Sequence, residues 1–202
     1  MQWTVVIPVK PSAVGKSRLG LGPELARAIA LDTVAAVVAC DAVDRVIVVT
    51  ADPAFRPPGA EVLLEAAPSG IDAAVAAGAR LAGIGTARAA LLGDLPALVP
   101  GELAAALALA ALAPRSFVAD HEGTGTTLVT ASPGVELLTA FGPDSAARHR
   151  GLGLADLDLP RGSSVRLDVD TREQLDAALA ALHRSGLDRS LRKGAAGAGT
   201  PD

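Results

Sequence analysis

The sequence predicts an α/β fold built on a mostly parallel sheet, and two observations carry this prediction. Short apolar runs alternate with helical segments along residues 4–112, which is typical of parallel strands joined by right-handed helical crossovers. Residues 89–92 are apolar throughout and are followed by Gly93 and Asp94. A continuous apolar run bounded by Gly and Pro indicates a strand buried on both faces, with Asp94 at its carboxyl end.

The first two thirds of the chain have a clear local signal for each element. The strands are β-branched or apolar runs limited by proline, glycine or polar residues, and we expect them at 4–9, 45–50, 60–64 and 89–92. The helices show apolar residues near helical spacing, and we expect them at 23–39, 71–81 and 100–112.

The alternation changes after Pro114. Two strands are expected at 116–119 and 127–131, followed by a short helix that starts within 141–149. A late strand is expected at 164–169. Thr171, with Gln174 at the capping-box position, then predicts a final helix that reaches about residue 183.

Composition limits both the architecture and the function. With 202 residues, 50% of them hydrophobic, the chain suits a single domain, which we place at 1–191, while the aperiodic residues 192–202 are expected to be disordered. The net charge of -4 and the scarcity of aromatic residues argue against nucleic-acid binding. Without a signal-peptide pattern or an apolar run of membrane-spanning length, and with a single cysteine, we expect a soluble cytoplasmic protein without a membrane partner.

The loop after the first strand carries three cations, Lys10, Lys16 and Arg18, and two glycines. Loops at this position bind phosphate in many nucleotide-binding folds, and Lys and Arg suit different phosphate oxygens. The spacing matches neither a P-loop nor a dinucleotide fingerprint. Two interpretations of this loop therefore stay open: it binds a polyphosphate, or it is a basic loop exposed to solvent.

Three carboxylates form a second candidate group. Asp94 follows a buried strand, where open α/β sheets bind ligands, and Asp168 and Asp170 are two residues apart on the expected late strand, so their side chains would share a face. Like charges that converge at such an edge require a cation or a proton, and ligation by oxygen alone favours Mg²⁺. The alternative is that Asp168 or Asp170 only caps the last helix.

Two glycine-rich turns, 123–127 and 142–145, form the third group. Successive small residues can expose backbone N–H groups to an anion, and Ser145 lies near a helix start, where the dipole favours negative charge. Ordinary turns are the alternative. His121 and His149 could act as acid or base, although lone histidines in polar loops are more often hydrogen-bonding residues.

Several motifs in order resemble the 2-phospho-L-lactate or phosphoenolpyruvate guanylyltransferase family of coenzyme F-420 biosynthesis. The resemblance covers about residues 5–179 and rests on Ile7-Pro8-Val9-Lys10 with Lys16-Ser17-Arg18-Leu19, Gly93-Asp94-Leu95-Pro96, residues 120–127, residues 141–149 and Leu167-Asp168-Val169-Asp170-Thr171. It implies a Rossmann-like, three-layer α/β/α nucleotidyltransferase fold. It also implies transfer of GMP from GTP to the phosphate of a three-carbon acid, with release of pyrophosphate.

The resemblance also implies a role for each site residue. The implied metal ligands, for Mg²⁺, are Asp94, Asp168 and Asp170; the phospho-acid residues are Thr127, Gly142 and Ser145; the nucleotide residues are Lys10, Lys16, Arg18, Ser69, Gly70 and Asp72; and Asp94 and Lys16 are catalytic. Asp72 departs from the family, which usually has Asn near the nucleotide base.

The resemblance is strongest to bacterial members, which favours phosphoenolpyruvate over 2-phospho-L-lactate as the acceptor. Two alternatives remain, a related nucleotidyltransferase that acts on molybdopterin or a polyol phosphate and a non-catalytic nucleotide-binding regulator. The missing G-x-G-x-x-G motif disfavours a nicotinamide-dependent oxidoreductase. A homodimer and transfer of the product to the next pathway enzyme both stay open.

Overall fold

The computed structural model describes residues 1–10, 23–169 and 174–176. Within these ranges seven strands form one sheet, in the order β3-β2-β1-β4-β6-β5-β7. The strands are β1 Trp3–Val9, β2 Val43–Thr50, β3 Glu61–Leu64, β4 Ala87–Leu91, β5 Arg115–Ala119, β6 Thr126–Ala131 and β7 Ala155–Asp156. The helices are α1 Pro23–Val38, α2 Ile71–Ala82, α3 Pro100–Ala110 and α4 Ser145–Gly151.

Helices cover both faces of the sheet, which gives three layers. Alternate residues of β1 point to opposite faces: Val5 and Ile7 pack in the cluster that contains residues of α1 and α3, while Val6 packs with Ala74 of α2. Gly78 lets α2 approach the sheet closely, because a Cβ there would overlap the Val6 side chain. Burial on both faces explains why β1 is apolar at consecutive positions.

The sheet is parallel in one half and largely antiparallel in the other. β1 pairs in parallel with β2 and β4, and β2 pairs in parallel with β3. β6 is antiparallel to both β4 and β5, and the short β7 is parallel to β5. The predicted α/β fold with a mostly parallel sheet is confirmed, and the predicted elements up to 131 lie within a few residues of their observed bounds.

The late strand expected at 164–169 is wrong. Ser164–Arg166 forms a short 3₁₀ helix instead. The Ser164 N–H and hydroxyl both donate to the Glu102 carboxylate, over 2.6 and 2.9 Å, and the Ser164 hydroxyl oxygen accepts the Val99 N–H at 2.9 Å. These side-chain bonds to α3 give the backbone an alternative to strand pairing. Asp168 therefore does not lie on a strand, and the predicted strand face that it would share with Asp170 is not formed there.

Several predictions fall outside the described ranges. Lys16, Arg18, Asp170 and the C-terminal residues 192–202 all lie there. Of the final helix predicted from Thr171, only residues 174–176 are described, and they are helical. None of the described helices is long and apolar enough to cross a membrane.

Candidate active site

The carboxyl ends of the parallel strands β1 and β4 lie side by side and form the centre of the candidate site. A Cβ on Gly93 would lie 3.3 Å from the Pro8 carbonyl oxygen, so the loop after β4 passes close to the end of β1. The next turn is anchored to α1, because the Leu95 N–H donates to the buried Thr33 hydroxyl oxygen at 3.1 Å. Asp94 is thereby held, half-buried, beside the end of β1.

A backbone hydrogen bond brings the segment that carries Asp168 to the loop of Asp94. The Val169 N–H donates to the Asp94 carbonyl oxygen at 3.0 Å, and the buried Val169 side chain packs with Ile29 and Ala97. Asp168 keeps only 14% of its side chain exposed, and its Oδ1 lies 3.7 Å from Nδ1 of His121. Two of the three predicted acidic positions are therefore carried by neighbouring segments, although they are far apart in sequence.

The donor set at this edge consists of carboxylate oxygens, which suit a hard divalent cation. The described residues contain no cluster of three or more His, Cys, Asp or Glu side chains arranged to hold a metal ion. Asp170, the third predicted ligand, lies outside those residues, so the triad stays a prediction.

The backbone of the glycine-rich turn 123–127 binds a carboxylate of the protein itself. The N–H groups of Gly123, Thr124 and Gly125 donate to the buried Asp120 carboxylate over 2.6, 3.0 and 2.7 Å. A Cβ on Gly125 would overlap Asp120 Oδ2, which explains the glycine. The expectation that these N–H groups are exposed to a ligand is therefore wrong, because Asp120 accepts their hydrogen bonds.

Thr127, near the start of β6, links this strand to the 3₁₀ helix and to the residue that follows β4. Its side chain is fully buried, its hydroxyl donates to the Val165 carbonyl oxygen at 2.6 Å, and its own carbonyl oxygen accepts the Leu92 N–H at 2.9 Å. The hydroxyl proton of Thr127 is thus already donated to a carbonyl group of the protein. A contact with the acceptor at this position stays a prediction.

Gly142 and Ser145 belong to a turn that packs on the 123–127 turn. Gly142 has a φ of 112°, a conformation that favours glycine, and its carbonyl oxygen accepts the Ser145 N–H at 3.1 Å. The next helical residue, Ala146, donates its N–H to the Thr124 carbonyl oxygen at 3.0 Å. The structure thus brings together the turns that carry the three predicted phospho-acid residues.

His149 holds this pair of turns from inside the core. Its ring is fully buried between Phe117 and Phe141, with ring centroids 5.6 and 5.5 Å away. Nε2 accepts the Ala140 N–H at 2.9 Å, so Nδ1 carries the proton and donates to the Thr126 hydroxyl oxygen at 2.9 Å. Burial lowers the pKa of His149, and the nearby charge of Asp72 offsets this only in part. The interpretation of His149 as a hydrogen-bonding residue is confirmed.

Asp72, predicted near the nucleotide base, contacts the segment that carries the predicted acceptor residue Gly142. It lies in the first turn of α2, and its Oδ1 accepts the Phe141 N–H at 3.0 Å. The carboxylate therefore links α2 to the residue immediately before Gly142. A direct contact between Asp72 and the base stays a prediction.

A pocket with about 350 Å³ of empty space opens at the ends of β1 and β2, against the first turn of α2. Its lining is mostly apolar and consists of Pro8, Val9, Lys10, Val49, Glu65, Pro68, Gly70, Ile71 and Ala74. Lys10 and Gly70 were predicted nucleotide residues, and Ser69 lies between the lining residues Pro68 and Gly70. Glu65 was missed, although the rule that drew attention to Asp94 applies to it, since Glu65 directly follows β3.

A smaller pocket, of about 250 Å³, lies on the α1 side of Val9 and Lys10. Its polar groups bind each other: Arg27 lies 5.2 Å from the centre of the Phe55 ring and contacts Asp52 over 3.2 Å. Lys10 lines both pockets.

No family model matches the chain. Curated relatives over most of its length include a phosphoenolpyruvate guanylyltransferase from Streptomyces coelicolor, 50% identical over 89% of this chain and 91% of the relative. Another is the phosphoenolpyruvate guanylyltransferase of Salinispora arenicola, 47% identical over 87% of both chains.

Solved structures with low sequence identity share the fold. A nucleotidyl transferase from Methanothermobacter superposes with a TM-score of 0.63 at 20% identity, over 91% of this chain and 99% of the other. A Mycobacterium tuberculosis protein crystallised with manganese gives a TM-score of 0.61 at 18% identity, over 89% and 98% of the two chains. These likenesses confirm the three-layer architecture predicted for the chain.

Proposed function

Because the chain belongs to the phosphoenolpyruvate guanylyltransferase family, we propose that it transfers GMP from GTP to the phosphate of phosphoenolpyruvate. An oxygen of the acceptor phosphate forms a bond to the α-phosphorus of GTP, and the bond from that phosphorus to the bridging oxygen breaks, which releases pyrophosphate. The observation that carries this proposal is 50% identity to a relative of that name over 89% of the chain.

The geometry supports the same reaction. A pocket with mostly apolar walls lies beside Lys10 at the ends of β1 and β2, and the first turn of α2, which lines it, contacts the segment before Gly142 through Asp72. A nucleotide in this pocket and a phosphorylated acid at the turns of Gly142 and Ser145 would bring their phosphates together at one edge of the sheet. Holding two reactants in this way supplies much of the rate enhancement of a group transfer.

The chemistry requires no general base. The acceptor phosphate already carries negative charge at pH 7, so no proton has to be removed from the attacking oxygen. This agrees with a His149 that is neutral, buried and fully hydrogen-bonded. The work left to the protein is to position the phosphates and to neutralise their charge, as in phosphoryl transfer generally.

Asp94 and Asp168, with Asp170 as the third predicted ligand, would hold the divalent cation that we expect to be Mg²⁺. When bound, such an ion neutralises phosphate charge and orients the two substrates. The manganese bound by a structural neighbour supports divalent-metal chemistry on this fold. Lys10, and the predicted residues Lys16 and Arg18, would offset the charge on the departing pyrophosphate.

The acceptor proposed first is phosphoenolpyruvate, because the relatives carry that acid in their names. Transfer to phosphoenolpyruvate, or to the related acid 2-phospho-L-lactate, would belong to coenzyme F-420 biosynthesis. Both GTP and phosphoenolpyruvate are made in the cytoplasm, which supports a cytoplasmic location for the reaction.

The test is release of pyrophosphate by the purified chain. GTP, ATP, CTP and UTP are each combined with phosphoenolpyruvate, 2-phospho-L-lactate or 3-phosphoglycerate in the presence of Mg²⁺. We expect the fastest release with GTP and phosphoenolpyruvate. If no combination releases pyrophosphate above the level without acceptor, the proposal is wrong.

A further inference from the structure

The pocket beside β1 and β2 has a mostly apolar wall with two charged residues. The pocket opens to solvent at the carboxyl ends of the two strands. Apolar side chains, among them Val9, Val49 and Ile71, form most of its wall, and Lys10 and Glu65 are its only charged lining residues within the described part of the chain.

The main chain fixes the position of Glu65. Glu65 directly follows β3, and its N–H donates to the Thr50 carbonyl oxygen of β2 at 2.9 Å, which extends the strand pairing by one residue. The residue is half-buried at the pocket wall. A carboxylate on a paired strand end is held more precisely than one on a free loop, which suits recognition of a ligand.

Other carboxylates nearby already bind groups of the protein. Glu61, at the start of β3, contacts Arg45 over 2.6 Å, and Asp72 accepts the Phe141 N–H at 3.0 Å. Among the hydrogen bonds and ion pairs of residues 1–10, 23–169 and 174–176, none engages the Glu65 carboxylate. Its two oxygens can therefore accept hydrogen bonds from a ligand in the pocket.

We infer that Glu65 selects guanine. Guanine presents two adjacent donors, N1–H and the N2 amino group, and two carboxylate oxygens accept from both at once in a charge-assisted, bidentate pair. Adenine presents an acceptor at N1, so a carboxylate there would face a lone pair. A site built to accept particular donors discriminates strongly against ligands that lack them.

This inference rests on the proposed function, since GTP is the donor in that reaction. It divides the work between two acidic residues near the start of α2: Asp72, in its first turn, contacts the acceptor segment through Phe141, and Glu65, which precedes the helix, reads the base.

The test is nucleotide binding by the full chain without any acceptor, measured by calorimetry with GTP, ITP and ATP. Glu65→Gln keeps the shape of the side chain but replaces one acceptor by an N–H donor, which opposes guanine N1–H and complements adenine N1. We expect the affinity for GTP to fall about 10–100-fold and the affinity for ATP to rise. Wild-type protein should bind ITP, which lacks the N2 amino group, about 10-fold more weakly than GTP, and Glu65→Gln should reduce this difference.

Glu61→Gln is the matched control, since it makes the same change on the same strand but outside the pocket. We expect it to leave the ratio of GTP to ATP affinity unchanged. If Glu65→Gln also leaves that ratio unchanged, the assignment of Glu65 is wrong even when guanylyl transfer is observed. A shifted ratio together with no transfer to any phospho-acid would instead support Glu65 and overturn the proposed reaction.

Discussion

The two halves of the sheet use their polar residues in different ways. On the side of β4, β5 and β6, the polar groups of the glycine-rich turns bind one another: Asp120 accepts three N–H groups, and His149 uses both ring nitrogens. On the side of β1, β2 and β3, a pocket is lined by Lys10 and Glu65 beside apolar side chains. We therefore propose that the half with β4, β5 and β6, called the acceptor half, acts through a rigid backbone. The half with β1, β2 and β3, called the nucleotide half, would act through side chains that face a pocket.

This difference predicts what substitutions should do in each half. Changes inside the acceptor half should act through stability and through the KM for the phospho-acid, because they alter the shape of its turns. Changes in the nucleotide pocket should alter the choice of nucleotide and leave stability almost unchanged. Asp94 lies between the two halves, so its loss should affect the chemical step itself.

The largest effect is expected for Asp94→Asn. The substitution removes the charge but keeps the backbone carbonyl that accepts the Val169 N–H. We expect kcat to fall on the order of 1,000-fold, because neutralisation of phosphate charge by a bound cation contributes several kcal/mol to such a reaction. Steady-state kinetics and thermal unfolding check this, with Asp156→Asn, an exposed partner of Arg150, as the control. Turnover near that of the wild type would rule out a metal-binding role for Asp94.

The next largest effect is expected for His149→Phe. The aromatic ring still fills the space, but the buried Ala140 N–H and Thr126 hydroxyl lose their partner, which should cost about 2–4 kcal/mol in the free energy of unfolding. Chemical denaturation measures this value. A loss below about 0.5 kcal/mol would show that these hydrogen bonds do not hold the turns.

The same residue predicts how stability depends on pH. Burial lowers the pKa of His149 in the folded state below its value of about 6.5 in the unfolded chain. Between these two pKa values the unfolded state binds more protons, so the contribution of His149 to stability is full above about pH 6.5 and decreases as the pH falls. His149→Phe should reduce the slope of stability against pH in this window, which chemical denaturation at several pH values measures.

A smaller loss of stability is expected for Gly125→Ala, because the new Cβ would overlap the Asp120 carboxylate. Such overpacking costs about 1–3 kcal/mol, and the displaced turn should raise the KM for the phospho-acid while the affinity for GTP is unchanged. Gly101→Ala is the control. Its Cβ meets open space within α3, where replacing glycine should stabilise the helix by about 0.5–1 kcal/mol. A Gly125→Ala protein as stable as wild type would contradict the rigid turn described for the acceptor half.

The smallest effect is expected for Asp72→Asn, which keeps the shape of the side chain but removes its charge. An amide oxygen can still accept the Phe141 N–H, so we expect less than about a twofold change in the KM for the phospho-acid and no change in the preference for GTP over ATP. Binding and kinetics with both nucleotides check this. A clear shift in nucleotide preference would show that Asp72 takes part in nucleotide recognition, which would contradict the division of roles between the two halves.

The sequence predicts best where burial alone decides the structure. The apolar runs of β1 and β4 identify central strands, and the position of Asp94 after β4 follows from that assignment. The contact between its loop and the segment of Asp168 is also consistent with the prediction, but it arises through the Val169 N–H rather than through the expected strand.

Prediction fails where one long-range side-chain contact determines the local backbone. Ser164 is part of a 3₁₀ helix because Glu102, far away in sequence, accepts its N–H and hydroxyl. The turn 123–127 closes on Asp120, which the pattern of small residues alone cannot show, since an external anion would require the same glycines. The role of Glu65 could have been predicted from the sequence. Like Asp94, it is a charged residue directly after a strand, where open α/β sheets bind ligands.

The central claim is the joining of GMP to the phosphate of phosphoenolpyruvate, and ³¹P NMR of the purified chain with GTP, phosphoenolpyruvate and Mg²⁺ tests it most directly. The account predicts loss of the phosphoenolpyruvate signal and growth, in equal amounts, of free pyrophosphate and of a coupled pair of signals from a new diphosphate linkage. An unchanged phosphoenolpyruvate signal, or release of pyrophosphate with formation of GMP alone, would contradict it.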